Sequence, residues 1–429
     1  MDTIHRCFIL ILSASAYSFA AAPEIEKLLI KANQLRVQGS LAESEAQYRE
    51  AIDNAEHDGA SNELLAKAMN NLGAVLYEEA KFNDSETWYL HALDAHAKSA
   101  GPEGANAVST LINLSELYRR MGRLKEAEDA VKRSIAILEK TSGPNNPELA
   151  LSLNTLACQY YDRGRYAEAQ ALVGRALQIR EAQGLTNDFL YAAMLDTMGS
   201  LYRDQNRWQE AKVPLERSLA LREKLYGADH PHVASVLAHL GLIYRAEGEL
   251  EKAEKSYLHA LAIFDAHPNV GRASHAETLN NLGVLARQKG DLEKAEVFEK
   301  EALATWDTIG QSGTLGYASG LNNLGETLAA EGRISEAEPL YRKAIALWEV
   351  NAPDHVNLAD CLSNLAGLFV SQGKAAGAEK LLQRALAIRE KAEGRTSAGY
   401  TEAKRQLILL YRAEKRNSEA KRLEQDTFR

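Results

Sequence analysis

Along most of the chain, apolar residues recur every three or four positions and do not alternate. That is the spacing of one face of an α-helix, and it predicts helices throughout. The helical stretches come in couples. In Asn280-Asn281-Leu282-Gly283-Val284-Leu285-Ala286-Arg287-Gln288-Lys289-Gly290 the apolar positions follow helical spacing up to Gly290. Glycine tolerates the left-handed conformation that closes a helix C-terminus. Asp291-Leu292-Glu293-Lys294-Ala295-Glu296 then opens a second helix, with acids in the first turn where the helix dipole favours them.

This couple repeats. Leu72, Leu114, Leu156, Met198, Leu240, Leu282, Leu324, Leu365 and Leu407 stand 42 residues apart, with a single step of 41. Eight residues after each comes a turn, near positions 80, 122, 164, 206, 248, 290, 332, 373 and 415, and Gly39 marks one earlier turn. Five residues further on stands a small residue, from Ser44 and Ser85 through Ala127 and Ala169 to Ala420. Directly after the marker most units have another, such as Gly73, Gly199, Gly241, Gly283 or Gly325, where the last unit has Ile408. Small residues on both helices predict close approach of the two backbones. One couple cannot bury its apolar face alone, so neighbours must stack. The expected fold is an all-α, right-handed α-solenoid superhelix of about ten antiparallel helix pairs over residues 21–429. The polar end Lys421-Arg422-Leu423-Glu424-Gln425-Asp426 suits a terminal cap.

Several segments carry a family resemblance. Leu240-Gly241-Leu242-Ile243-Tyr244-Arg245-Ala246-Glu247-Gly248 and Glu336-Ala337-Glu338-Pro339-Leu340-Tyr341-Arg342-Lys343-Ala344 resemble the tetratricopeptide repeat (TPR). The period is about eight residues longer than the usual 34. The long unit, and the linker Tyr226-Gly227-Ala228-Asp229-His230-Pro231-His232-Val233-Ala234, look like those of kinesin light chain. The resemblance implies a TPR-like solenoid and a peptide-binding role. It does not imply the motor role, because that protein's coiled-coil segment has no counterpart here.

Composition narrows the function classes. Fifty Lys plus Arg against 59 Asp plus Glu leave a net charge of -9, the wrong sign for a nucleic-acid binder. Three cysteines make no disulfide scaffold. No His-Glu-x-x-His, Gly-x-Ser-x-Gly or phosphate-loop pattern occurs, so neither an enzyme nor a metal or cofactor site is expected. Gly310, Gly313, Gly316 and Gly320 read as a flexible connector, and His230, His232 and His355 as loop and cap residues. Pro214 and Pro339 read as early second-helix positions, where a missing N–H costs least. Trp88, Trp208, Trp306 and Trp348 read as packing between repeats. At the N-terminus, an apolar run from Cys7 to Ala22, with Ser18 and Ala20 placed for a cut before Ala21, predicts a signal peptide over residues 1–20. Export to a periplasmic or secreted location follows, with N-terminal membrane anchoring as the alternative and no membrane span after cleavage. Cys158 and Cys361 lie too far apart along a solenoid to pair.

The first helices of such repeats line a groove. Five residues after the marker stand Tyr77, Arg119, Tyr161, Arg203, Arg245 and Arg287, then Ala329, Val370 and Arg412. This ladder could hold acidic or aromatic groups of a peptide, or pair with acids nearby such as Glu116, Asp204 and Glu326. Just before the marker stand polar residues, among them Asn71, Asn113, Asn281, Asn323 and Asn364. They either bond the backbone of an adjacent repeat or, by the family resemblance, grip an extended peptide. The expected function is that of an exported scaffold binding a protein or peptide segment in its groove. The alternatives are a spacer assembling through its ends and, last, a repeat enzyme with a loop site.

Overall fold

The computed structural model describes residues 23–268 and 270–425. The expected signal peptide, with Cys7, lies outside the described residues, as does Asp426. No helix among the described residues is long and apolar enough to cross a membrane. The described residues form twenty α-helices and no strand. They divide into two compact units at Leu221/Arg222.

The first unit holds α1 (Pro23–Val37) and α2 (Leu41–His57), α3 (Asn62–Glu78) and α4 (Phe82–Ala100), α5 (Val108–Arg120) and α6 (Leu124–Ser142), α7 (Leu149–Asp162) and α8 (Tyr166–Ala182), then α9 (Phe189–Asp204) and α10 (Trp208–Tyr226), within which the division falls. The second holds α11 (Pro231–Ala246) and α12 (Leu250–Ala266), α13 (Arg272–Gln288) and α14 (Leu292–Thr308), α15 (Leu315–Ala330) and α16 (Ile334–Asn351), α17 (Val356–Ser371) and α18 (Ala375–Glu393), α19 (Ala398–Ala413) and α20 (Asn417–Gln425). In each unit a second helix packs on its own first helix and on the next pair. First helices also touch one another, α3 to α5 to α7 to α9 in one unit and α11 to α13 to α15 to α17 in the other. Ala420 is the buried residue of the short final helix.

Each first helix gives way to its partner through one left-handed residue. Seven of these are glycine; the others are Ala80, Asn206 and Lys415, with φ of 58–59°. Asparagine tolerates this region, whereas alanine and lysine are strained there. Replacing Ala80 by glycine relieves that strain in the exposed turn. Chemical denaturation is therefore expected to find Ala80→Gly more stable by about 0.5–1 kcal/mol. A loss of stability would show the turn to be unstrained.

The small residue in each second helix is the point of closest approach. Ser44, Ser85 and their alanine equivalents to Ala420 are at most 2% exposed. Ser44 Oγ donates to Ala32 O at 2.8 Å, and Ser85 Oγ to Gly73 O at 2.7 Å, so the contact is with the first-helix backbone itself. What fills the space above the first-helix glycine is a large side chain four residues further along. Tyr89 lies over Gly73, Leu215 over Gly199, Tyr257 over Gly241 and Tyr341 over Gly325. A cation following the turn then ties one pair to the preceding one. Arg123 packs on the Tyr118 ring at 4.3 Å and reaches Glu86 at 2.7 Å, and Arg416 packs on Tyr411 at 4.5 Å and reaches Glu379 at 2.6 Å.

Two expectations are corrected. The four glycines after α14 are not one flexible connector: Gly310 ends the turn with φ of 68°, but Gly316 and Gly320 lie inside α15. Their four-residue spacing puts them on one helix face, beneath the buried Trp306, whose ring would lie 2.7 Å from a Cβ at Gly320. Pro214 and Pro339 stand past the first turn of their helices, where each does remove an intrahelical bond. His230 and His355 do act as caps, accepting through Nδ1 from the N–H of His232 and Asn357 at 3.2 Å. Trp348 stacks on the His355 ring at 4.8 Å, and Trp306 meets Tyr317 edge-on. Cys158 and Cys361 are buried free thiols in different units.

Candidate functional site

The first helices present the ladder positions side by side, and the structure shows where each one goes. In the first unit, Tyr77 Oη on α3 donates to Glu116 Oε1 on α5 at 3.2 Å. Arg119 holds the same carboxylate through Nε at 2.8 Å and Nη2 at 2.6 Å, and reaches Asp162 on α7 through Nη1 at 3.2 Å. Burial works against the charge of Arg119, but Glu116 and Asp162 keep it firmly protonated. Tyr161 donates to Asp204 on α9, which Arg203 also contacts through Nε at 2.7 Å, while Arg203 Nη2 donates to Tyr161 Oη at 3.1 Å. In the second unit, Arg287 Nη1 on α13 donates to Glu326 on α15.

The ladder is therefore largely neutralised from within. Its arginines meet acids on their own or a neighbouring first helix, in partly buried surroundings. Arg245 is the exception. The position in the next helix that holds Glu116 and Glu326 elsewhere holds Val284, and Arg245 Nε is buried without a hydrogen-bond partner. Ala329 and Val370 offer no polar group, and Arg412 pairs with Glu424 on α20.

The asparagines bond each other. Asn113 Nδ2 donates to Asn70 Oδ1 at 3.1 Å, Asn323 Nδ2 to Asn280 Oδ1 at 3.0 Å, and Asn364 Nδ2 to Asn322 Oδ1 at 3.0 Å. Asn364 also donates to Glu326 Oε1 at 2.7 Å, and Asn70 Nδ2 to Asn71 Oδ1 at 3.3 Å. This corrects the expected bond to an adjacent repeat's backbone: the acceptor is a side chain, one position earlier in the preceding first helix. The arrangement satisfies polar groups that burial would otherwise leave unpaired. It also corrects Asn71 and Asn113 as peptide-gripping residues, because both are only 1% exposed. Asn281, Asn323 and Asn364 stay partly exposed, and Asn281 takes no part in these bonds. The doublets Asn70-Asn71, Asn280-Asn281 and Asn322-Asn323 were the available signal for the missed partner position.

A cleft of about 480 Å³ opens in the first unit, where α3, α5 and α7 expose the N-terminal halves of their inner faces. Lys67, Asn70, Ser109, Ile112 and Leu151 line it at the offsets expected for a groove. His96, from α4, and Arg180, from α8, close it, and neither was anticipated, because the offsets covered first helices alone. Among the described residues, no group of three or more His, Cys, Asp or Glu is placed to hold a metal ion.

A tetratricopeptide repeat profile matches residues 64–140, 106–182, 190–266 and 316–391, and a second tetratricopeptide repeat profile matches residues 275–306. The chain belongs to the tetratricopeptide repeat family. No curated protein matches the sequence. Solved structures share the TPR fold. The apo quorum sensor NprR from B. thuringiensis is 14% identical, with a TM-score of 0.62 over 85% of this chain and 98% of that one. A Rap protein complexed with competence and sporulation factor is 16% identical, with a TM-score of 0.51 over 93% of this TPR chain and 100% of that one. A putative kinesin light chain from Podospora anserina with nearly identical TPR-like repeats is 20% identical, with a TM-score of 0.41 over 47% of this chain and 95% of that one.

Proposed function

We propose that this TPR chain is an exported scaffold that holds an extended segment of a partner protein on its first-helix face. The observation that carries this reading is the run of touching first helices within each unit, which in the first unit opens into a cleft large enough for a ligand. The Rap protein of similar fold, solved with competence and sporulation factor, supports the same direction. The partner's contact with the ladder is focused on Arg245, the arginine there without an acidic partner, and an acidic or aromatic group would meet it. Export rests on the N-terminal residue pattern.

One experiment tests both. A photo-crosslinking residue is placed at Arg120 or Gln288, both exposed on first helices, and for comparison at Leu90 or Leu258, both exposed on second helices. In the envelope fraction of the producing cell, a protein adduct is expected from positions 120 and 288 and not from 90 and 258. The captured chain is expected to begin at Ala21. Adducts confined to the second helices would remove the binding reading, and a chain still starting at Met1 would remove the cleavage reading.

A further inference from the structure

The cleft between α3, α5 and α7 has more chemistry than the ladder beside it. Its floor is apolar: Ile112 is 3% exposed, and Val108, Leu151 and Leu190 pack around it. The charges at its walls are already matched. Lys67 Nζ lies 2.8 Å from Glu63 Oε1, and Arg180 is bound to Asp188 and to Leu185 O at 3.1 Å. Glu148 stands exposed at the mouth. One buried polar side chain is left over. His96 is 3% exposed, lines the cleft, and has no hydrogen-bond partner at Nδ1. Burial is the main cause that pushes its pKa down to about 4; Glu63 opposes this and Lys67 adds to it. The imidazole is thus neutral across ordinary pH, and it lines a cleft whose floor is apolar.

We propose that this cleft is a specificity pocket for an uncharged peptide residue with a bulky aliphatic side chain, which packs on Ile112, Leu151 and Leu190 while its peptide group hydrogen-bonds to His96. A charged side chain would have to give up its water, and the lining cations Lys67 and Arg180 are already paired. An aliphatic one gains from burying its surface, and its amide satisfies a ring nitrogen whose bond is otherwise unmade. The inference rests on the proposed first-helix binding face and names the residue that face selects.

The probes are N-acetyl-leucine methylamide and, as the charged comparison, N-acetyl-aspartate methylamide, titrated into the full chain while the methyl resonances of Ile112, Leu151 and Leu190 are followed by NMR. The leucine probe is expected to shift these signals to saturation, and the aspartate probe to bind at least tenfold more weakly. His96→Phe keeps the ring and removes its nitrogens, and is expected to weaken the leucine probe about five- to tenfold. Ile112→Trp fills the cleft and is expected to abolish the shifts. Equal binding of the two probes, no saturable shift in the wild type, or full affinity in His96→Phe each overturns the proposal. If the crosslinks from positions 120 and 288 persist in that event, the pocket assignment alone has failed. If they are absent too, the binding face has failed with it.

Discussion

Gly241→Ala is expected to destabilise the second unit by about 2–4 kcal/mol, although alanine is the better helix former by about 1 kcal/mol. A Cβ at Gly241 would stand 2.5 Å from Cε1 of Tyr257 and 2.7 Å from its Cδ1. Tyr257 is fully buried and cannot swing aside. The first and second helices, α11 and α12, are meanwhile pinned by Ala253, which is also fully buried. The clash must therefore be met by separating the pair, with loss of packing along its length. A double-mutant cycle with Tyr257→Ala checks the cause. Truncating the ring alone is costly because it leaves a cavity. Adding Gly241→Ala to it is expected to cost little or nothing, giving a coupling energy of about 2 kcal/mol or more between the two sites. Additive effects in urea denaturation would mean that the glycine is not there to receive the ring.

Glu299 is expected to make the chain less stable as pH rises from about 4.5 to 7. It occupies the position that holds Tyr257, Tyr341 or Leu382 in other repeats, and it is fully buried over Gly283. Neither carboxyl oxygen has a hydrogen-bond partner among the described residues, nor does the Thr327 hydroxyl nearby. Burial pushes its pKa up to about 7; the Thr327 hydroxyl and the Arg287 guanidinium oppose this, and the carboxylates of Glu326 and Glu296 reinforce it. The sign follows from proton binding. Between 4.5 and 7 the folded chain holds a proton that the unfolded chain has already released, so stability falls as pH rises through that window and levels off above 7. The loss is about 3 kcal/mol for this site. Glu299→Leu is accordingly expected to raise stability by about 2–3 kcal/mol at pH 8, by much less at pH 4.5, and to flatten the pH profile between them. A variant whose gain is the same at both pH values would place the ionisation elsewhere.

These two positions show how far the sequence reaches. That a small residue stands after each marker was plain, and so was the matching small residue in the second helix. What overlies Gly241 was not, because the ring of Tyr257 comes from sixteen residues away along a different helix. Glu299 gave no warning in a stretch, Glu296 to Glu301, whose other two glutamates are partly or fully exposed. The ladder behaves similarly. Its residues were legible from their common offset, yet whether an arginine is occupied depends on which acids stand beside it on its own and the next first helix. Glu116 and Glu326 occupy two of them, while Val284 leaves Arg245 open. The asparagines were recognisably polar in the wrong place, but their partners stand 42 or 43 residues earlier, one position off the column in which they were compared.

The sequence by itself determined the repeating helix pair, the residue at which each pair turns, and the small side chains that let its two backbones meet. These are local matters, settled by backbone sterics and by a periodicity that survives in a single strand of text. Only the tertiary structure decided which polar groups on the first-helix face cancel one another, which asparagines are buried, and where a cleft with an unsatisfied histidine opens. Those outcomes depend on how one pair is set against the next, because side chains about forty residues apart in sequence meet or miss according to an angle that no single repeat encodes.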